Sequence, residues 1–164
     1  MENSAVSDTG PILHLAEIDF SNAFDTFSKV IIPDEVSSEL KRNKVGIPKN
    51  IKIAQLKKEF KDKVKVLTNQ YNLDSGEAEA ISLIMQEKSD YLLTDDLEAR
   101  QVAKEFNIDV HGTAGIILRA FRDKIIDKKT ALIKIVELKN KSSLFITQDL
   151  INEIIKAINA FSKK

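Results

Sequence analysis

Five carboxylates of this 164-residue chain are set apart from its other acids by where they fall. Asp8 ends the apolar run "NSAVSD", and Pro11 just beyond it suits the first turn of a helix. Asp95 and Asp96 end a second run, "DYLLTD". In "DEVSSELKR", Val36 and Leu40 make a core stripe, and Glu39 lies about 60° from Val36 on its flank. In "GEAEAISLIM", Glu77 falls near the centre of the apolar face formed by Ala78, Ala80, Ile81, Ile84 and Met85, whereas Glu79 points roughly opposite. A carboxylate on an apolar face needs a cation or a backbone N–H, because burying it unpaired is costly. Four or five carboxylates with almost no imidazole form the ligand set of Mg2+ or Mn2+, whose usual chemistry is on phosphates. Each acid also has a structural explanation, Glu39 as one charge on a helix rich in charge and the others as caps. Asp74 with Glu77 and Asp95 with Glu98 have capping-box spacing, and Asp8 can cap the helix at Pro11.

These acids act together only if the surrounding elements bring them to one place. Strand patterns alternate with helix patterns along the chain: "NSAVSD", "KVII", "DYLLTD" and "IDVH" read as strands. "DEVSSELKR", "LDSGEAEAISLIMQEK", "LEARQVAKEF" and "TAGIILRAF" read as helices. A loop around "NKVGIPKN" leads to a basic helix near Ala54 to Lys61, and "KVKVL" reads as a short extended piece. Two more helices, about Lys128 to Lys139 and Gln148 to Phe161, finish the chain, the second capped by Thr147. Such alternation implies an α/β fold with a parallel sheet and helices on both faces. Sites in such sheets lie beyond the carboxyl ends of the strands. Asp8, Asp95 and Asp96 therefore share a rim, which capping alone does not explain.

Composition narrows the chemistry further. With 43% apolar and 30% charged residues, 5 Gly and 3 Pro, the chain reads as one folded domain spanning 1–164. It has no apolar run long enough for a membrane span and no secretory pattern, which predicts a cytoplasmic location. The absence of Cys excludes disulfides, thiolate zinc sites and cysteine nucleophiles, and only His14 and His111 are imidazoles. The formal net charge is zero, but Lys41 to Lys65 holds ten basic and two acidic residues, so this segment carries +8 and the rest −8. That stretch is either a solvated helix face or a basic surface for phosphates beside an acidic pocket.

At this point the residues fall into a familiar order. "AVSDTGPILHLA", "VIIPDEVSSEL", "LDSGEAEAISLIMQEKSDYLLTDDLEARQVA" and "IDVHGTAGIIL" resemble the PIN-domain family in sequence and spacing. They are most similar to its branch of short prokaryotic, VapC-like proteins with GExEA, LLTDD and GT-x-G signatures. The resemblance covers about Ser4 to Ile126; the helices of 127–164 fit as a looser C-terminal extension. It implies a three-layer α/β/α sandwich with a central mostly parallel sheet. It also implies a metal-dependent ribonuclease, the toxin of a type II toxin–antitoxin pair, with RNA as substrate and a small antitoxin as partner. By this similarity Asp8, Glu39, Glu77 and Asp96 are the family acids, and Asp95 shares or replaces the last of them. The chain departs from the commonest toxin pattern in having Glu77 where Asp is usual.

The mechanism so implied is phosphodiester hydrolysis. One or two Mg2+ or Mn2+ ions are held by Asp8, Glu77 and Asp96, with Glu39 beside them, and activate a water. Thr9, Thr94 and Thr113 are hydroxyls near the rim that bond either a phosphate or a carboxylate, Thr113 otherwise capping its helix. Lys57, Lys58 and Lys61 are the candidate phosphate contacts. His14 and His111 read as structural. A phosphoaspartate receiver lacks its late-strand lysine in "IDVHGTAG", and a haloacid-dehalogenase-type phosphatase lacks its second aspartate, the position being Gly10. The remaining rival is a PIN-like module without activity that binds RNA or a protein. Most Phe residues lie in apolar stripes, which gives little sign of a base-stacking platform. Phe20, Phe24 and Phe27 form a stripe for the core or for a homodimer.

Overall fold

The computed structural model describes residues 3–161. Among these, β1 (Ser4–Ser7), β2 (Lys29–Ile32), β3 (Ile51–Ile53), β4 (Tyr91–Leu93) and β5 (Asp109–His111) form an all-parallel sheet in the order β3-β2-β1-β4-β5. The helices are α1 (Thr9–Glu17), α2 (Asp34–Arg42), α3 (Lys58–Gln70), α4 (Ser75–Glu87), α5 (Leu97–Glu105), α6 (Thr113–Arg122), α7 (Lys128–Lys141) and α8 (Gln148–Phe161).

Strands covered on both faces must be apolar at successive positions, and their alternate side chains feed opposite cores. Ala5, Val30, Ile32 and Leu93 point into one core with Ile12 and Leu15 of α1, Val36 and Leu40 of α2, and the buried faces of α6, α7 and α8. Val6, Ile31 and Leu92 point into the other, with Leu67 of α3, Ala80 to Ile84 of α4, and Ala99, Val102 and Ala103 of α5. The result is the expected three-layer sandwich. α7 and α8 are continuous with its first layer, through Ala131, Ile135, Ile151 and Ile158. Among the described residues no helix is long and apolar enough to cross a membrane.

This topology opens a crevice at one place. The chain leaves β1 into α1 on one face and leaves the adjacent β4 into α5 on the other. Between strands whose crossovers diverge, the carboxyl-end rim splits, and that split is where doubly wound sheets hold their ligands. Asp8 and the Thr94 to Asp96 segment stand on its two sides.

The fold departs from the sequence reading in four places. The basic helix expected near Ala54 to Lys61 starts only at Lys58, and 54–57 is irregular. Ile51–Ile53 is an edge strand, which periodicity missed because only Ile51 is buried while Lys52 and Ile53 face water. "KVKVL" is helical, inside α3: its alternation is accidental, since Leu67 is buried while Val66 is exposed. The segment of Phe20, Phe24 and Phe27 is a 3-10 turn over Ser21–Thr26, and all three rings are buried in the first core, so the stripe belongs to the core. Thr147 does cap α8, accepting from Leu150 N at 3.2 Å.

Phe24 is fully buried between α1, α6 and the sheet. Phe24→Ala is expected to cost about 3–5 kcal/mol. Urea unfolding reads that loss as a lower midpoint with unchanged slope.

Candidate functional site

Asp8 is fixed by the sheet it terminates. Its N–H donates to Leu93 O at 2.8 Å, extending the β1–β4 ladder by one residue. The carboxylate then caps α1, Oδ1 accepting from Thr9 N at 2.8 Å, while Oδ2 accepts from Thr94 Oγ1 at 3.1 Å. Thr94, fully buried, is tied to β5 by its N–H to His111 O at 3.0 Å, and its hydroxyl also accepts from Asp96 N at 3.2 Å. One hydroxyl thus joins the side chain of Asp8 to the backbone of Asp96. Asp96 caps α5 through Oδ1, which accepts from Ala99 N at 2.8 Å.

Glu39 and Glu77 reach the same crevice from α2 and α4. Thr9 Oγ1 donates to Glu39 Oε2 at 2.6 Å, and Glu39 Oε1 lies so close over Gly76 that a Cβ there would overlap it. The glycine of GExEA marks a close approach and not a left-handed turn, and a side chain there would displace the Glu39 carboxylate. Glu77 forms a capping box: Asp74 N donates to Glu77 Oε1 at 2.9 Å and Glu77 N donates to Asp74 Oδ1 at 2.8 Å. Its partner Asp74 enters the cluster as well, its charge raising the pKa of Asp8, Glu39 and Glu77. The sequence reading took Asp74 only as a cap; the capping-box spacing that tied it to Glu77 was the signal that it shares the site.

The electrostatics are those of uncompensated negative charge. Burial pushes Asp8 up to about 6, outweighing the bonds from Thr9 and Thr94, with Asp74 and Glu39 adding repulsion. Burial pushes Glu77 up to about 8, against the bond from Asp74 N, and Asp74, Asp96 and Asp8 add to it. Burial also raises Glu39. Among the described residues, none of the ion pairs includes Asp8, Glu39, Asp74, Glu77 or Asp96. The donor set is all carboxylate oxygen, partly buried and unpaired by any base, which fits a hard divalent cation. No three acidic or His side chains among the described residues stand at the spacing of a formed metal centre. Each acid is held by a helix start or a threonine and not by its neighbours.

Asp95 does different work from Asp96. Its oxygens accept from Thr113 N at 2.7 Å, Thr113 Oγ1 at 2.5 Å and His14 Nδ1 at 2.7 Å, with Arg100 at 3.9 Å. Burial raises its pKa, but the bonds from His14 and Thr113 prevail and the net shift is downward. Asp95 thus joins α1 to the start of α6, facing away from the acid cluster. Thr113 does not cap its own helix: Gly112 is the N-cap, and the hydroxyl serves Asp95. His14 is structural through this bond, and His111 is packed against Tyr91 and Phe27, with Arg119 over those two rings.

The lysines sit elsewhere. Lys57 N donates to Gln86 Oε1 at 2.7 Å, so the start of α3, with Lys58, packs at the C-terminal end of α4, on the order of 14 Å of helix from Glu77. Lys61 lines a separate hollow with Asp34, Lys65 and Glu79. None of the three lines the acidic crevice. An aromatic does stand beside it: Phe145 is 88% exposed, in a hollow that Asp96 also lines.

Because Asp8 and Glu77 hold protons in the folded chain that they release on unfolding, the native state binds more protons between about pH 4.5 and 8. Stability in EDTA is therefore expected to fall as pH rises through that window. Calorimetry should show a melting temperature that declines from pH 5 to 8, less steeply in Glu77→Gln, and a larger gain from Mg2+ or Mn2+ at pH 8 than at pH 5. A rising melting temperature over this range would contradict the charge arrangement.

A family model described as PIN domain matches residues 4–160, which takes in the C-terminal helices that the sequence reading set outside the core resemblance. No curated protein matches the chain. Among solved structures, it is similar to a PilT N-terminus domain protein from the hyperthermophilic archaeon Sulfolobus solfataricus P2, with a TM-score of 0.52 and 13% identity, covering 72% of this chain and 93% of that one. That likeness is one of fold. Together with the family match over nearly all of the sequence, it means that the chain belongs to the PIN-domain family, a fold of the nuclease type.

Proposed function

We propose that the chain is a divalent-metal-dependent ribonuclease that hydrolyses RNA phosphodiester bonds. The observation that carries this reading is the gathering of Asp8, Glu39, Asp74, Glu77 and Asp96 at the β1–β4 crevice with no ion pair to any of them among the described residues. Asp8, Glu77 and Asp96 would hold Mg2+ or Mn2+, with Glu39 and Asp74 beside them. A cation held there supplies Lewis acidity, acidifying a water and neutralising the attacked phosphate. The chain's own contribution is orientation: Thr94 aims Asp8, Thr9 aims Glu39, and the capping box fixes Glu77 at the start of α4. Asp95 is a positioning residue, not a ligand.

The biological setting we infer is that of a VapC-like toxin in the cytoplasm, restrained by a small antitoxin. Its support is the PIN-domain match and the order of the GExEA, LLTDD and GT-x-G motifs. A neighbouring gene for a small DNA-binding protein, and growth arrest on expression that Asp8→Asn relieves, would test it. The second reading, a module that binds without cutting, is favoured by the absence of a closed metal triad among the described residues. It expects no cleavage in any metal.

Glu77 and Glu79 separate the two readings within one helix. Glu79 is turned away and accepts from Glu35 N at 3.2 Å. Glu77→Gln is expected to lower metal-dependent cleavage by at least about 10–100-fold, the loss typical even of groups one step removed from a metal. Glu79→Gln should keep most of it. Equal losses in a gel assay of RNA cleavage would show that the site is misplaced.

A further inference from the structure

The link between α7 and α8 is tied down along its length. Ser143 donates both its N–H and its hydroxyl to Glu17 Oε1 at 2.8 Å, and Leu144 N donates to Ser142 Oγ at 3.2 Å. Ile146 is buried and Leu144 packs against the same core. In extended chain, side chains alternate, so fixing Leu144 and Ile146 inward turns Phe145 outward. At 88% exposed, it is held in water by a fixed loop. Leu97, the first residue of α5, is 79% exposed. Both line one hollow of about 550 Å³ with Asn72, Asp95, Asp96 and Glu98. The hollow therefore adjoins the acid cluster through Asp96.

Its lining says what can enter. Among the described residues, no Lys or Arg lines it. The Asn72 amide already donates to Glu98 Oε1 at 3.2 Å, and Asp95 is taken by His14 and Thr113, so acceptor capacity is what remains, on Asp96, Glu98 and the Asn72 carbonyl. Phosphate is repelled by such walls. A flat apolar group bearing amino donors is not.

We propose that Phe145, with Leu97, is a stacking platform for one unpaired nucleobase beside the phosphate cut at the acid cluster, and that the acceptor lining favours bases bearing an exocyclic amino group, adenine and cytosine among them, over uracil. This rests on the ribonuclease reading and names the part of the substrate that reading leaves open. Composition gives little sign of a stacking platform because most phenylalanines lie in apolar stripes; Phe145, at 88%, is the most exposed of the large apolar side chains among the described residues.

The chain has no Trp, so in Phe145→Trp all tryptophan fluorescence reports that position. Titrating single-stranded octamers of A, C and U into Asp8→Asn/Phe145→Trp with Mg2+ should give saturable quenching. Half-saturation is expected at roughly fivefold lower concentration for A and C than for U, the effect of one net hydrogen bond. In cleavage by the otherwise native chain, Phe145→Ala should raise KM by at least about fivefold, the lower end for loss of one base stack, with kcat little changed and Phe145→Tyr restoring KM. Equal quenching by all three octamers overturns the base preference. No quenching by any, with wild-type cleavage intact, overturns the platform and assigns the apolar pair to a protein partner. Quenching by a chain whose wild type cuts no RNA keeps the platform and removes the ribonuclease reading instead.

Discussion

Repulsion among carboxylates crowded at one strand crevice is the constraint on which this molecule's rim depends. The chain meets it with helix starts. Asp8 caps α1, Asp74 and Glu77 cap α4, Asp96 caps α5, and Asp95 takes the first N–H of α6. Each helix N-terminus carries a partial positive charge and free N–H donors, so these starts hold anions, and of the carboxylates named only Asp95 adds basic partners, His14 and Arg100. Capping and chemistry are therefore not rival explanations of these acids. Capping orients the carboxylates, and what it leaves uncompensated is the charge a cation would meet. Glu77 shows what capping does not offset: burial first, and then the charges of Asp74, Asp96 and Asp8, push it up to about 8.

The adjacent pair Asp95 and Asp96 shows how finely the rim divides this work. Thr94, buried before them, orients Asp8 and receives the N–H of Asp96, which keeps Asp96 on the crevice side. Asp95 turns to the other side, where His14, Thr113 and Arg100 surround it, and where a side chain on Gly112 would collide with Arg100. Asp95 binds α1 and α6, two helices of one layer, to the end of β4 beside the crevice. Its lowered pKa and the raised pKa of Asp8 and Glu77 are the electrostatic signatures of those two roles.

Much of this was legible in the residues because it is local. The strand–helix alternation, the helical phase that separates Glu77 from Glu79, and the placing of Asp8 and Asp96 at strand ends all follow from periods of 2 and 3.6. What was not legible depends on how elements dock. β3 is too short and too exposed to announce itself, and its pairing with β2 is what makes it a strand. Lys57 and Lys58 sit at the far end of α4 because α3 and α4 pack antiparallel, and Lys61 lies in a hollow with Glu79 and Asp34, which no charge count reveals. Asp74 became a member of the cluster, and Phe145 its neighbour, only once α4 and the α7–α8 link were brought to the rim.

The central claim is that the acid cluster is a cation site kept partly protonated until a cation arrives. Mn2+ titrated at pH 7 in buffers of different ionisation enthalpy measures the protons released on binding. With Glu77 near 8 and Asp8 near 6, the account predicts release of about one proton per binding event, most of it lost in Glu77→Gln. Binding without proton release, or no binding that Asp8→Asn abolishes, would contradict it.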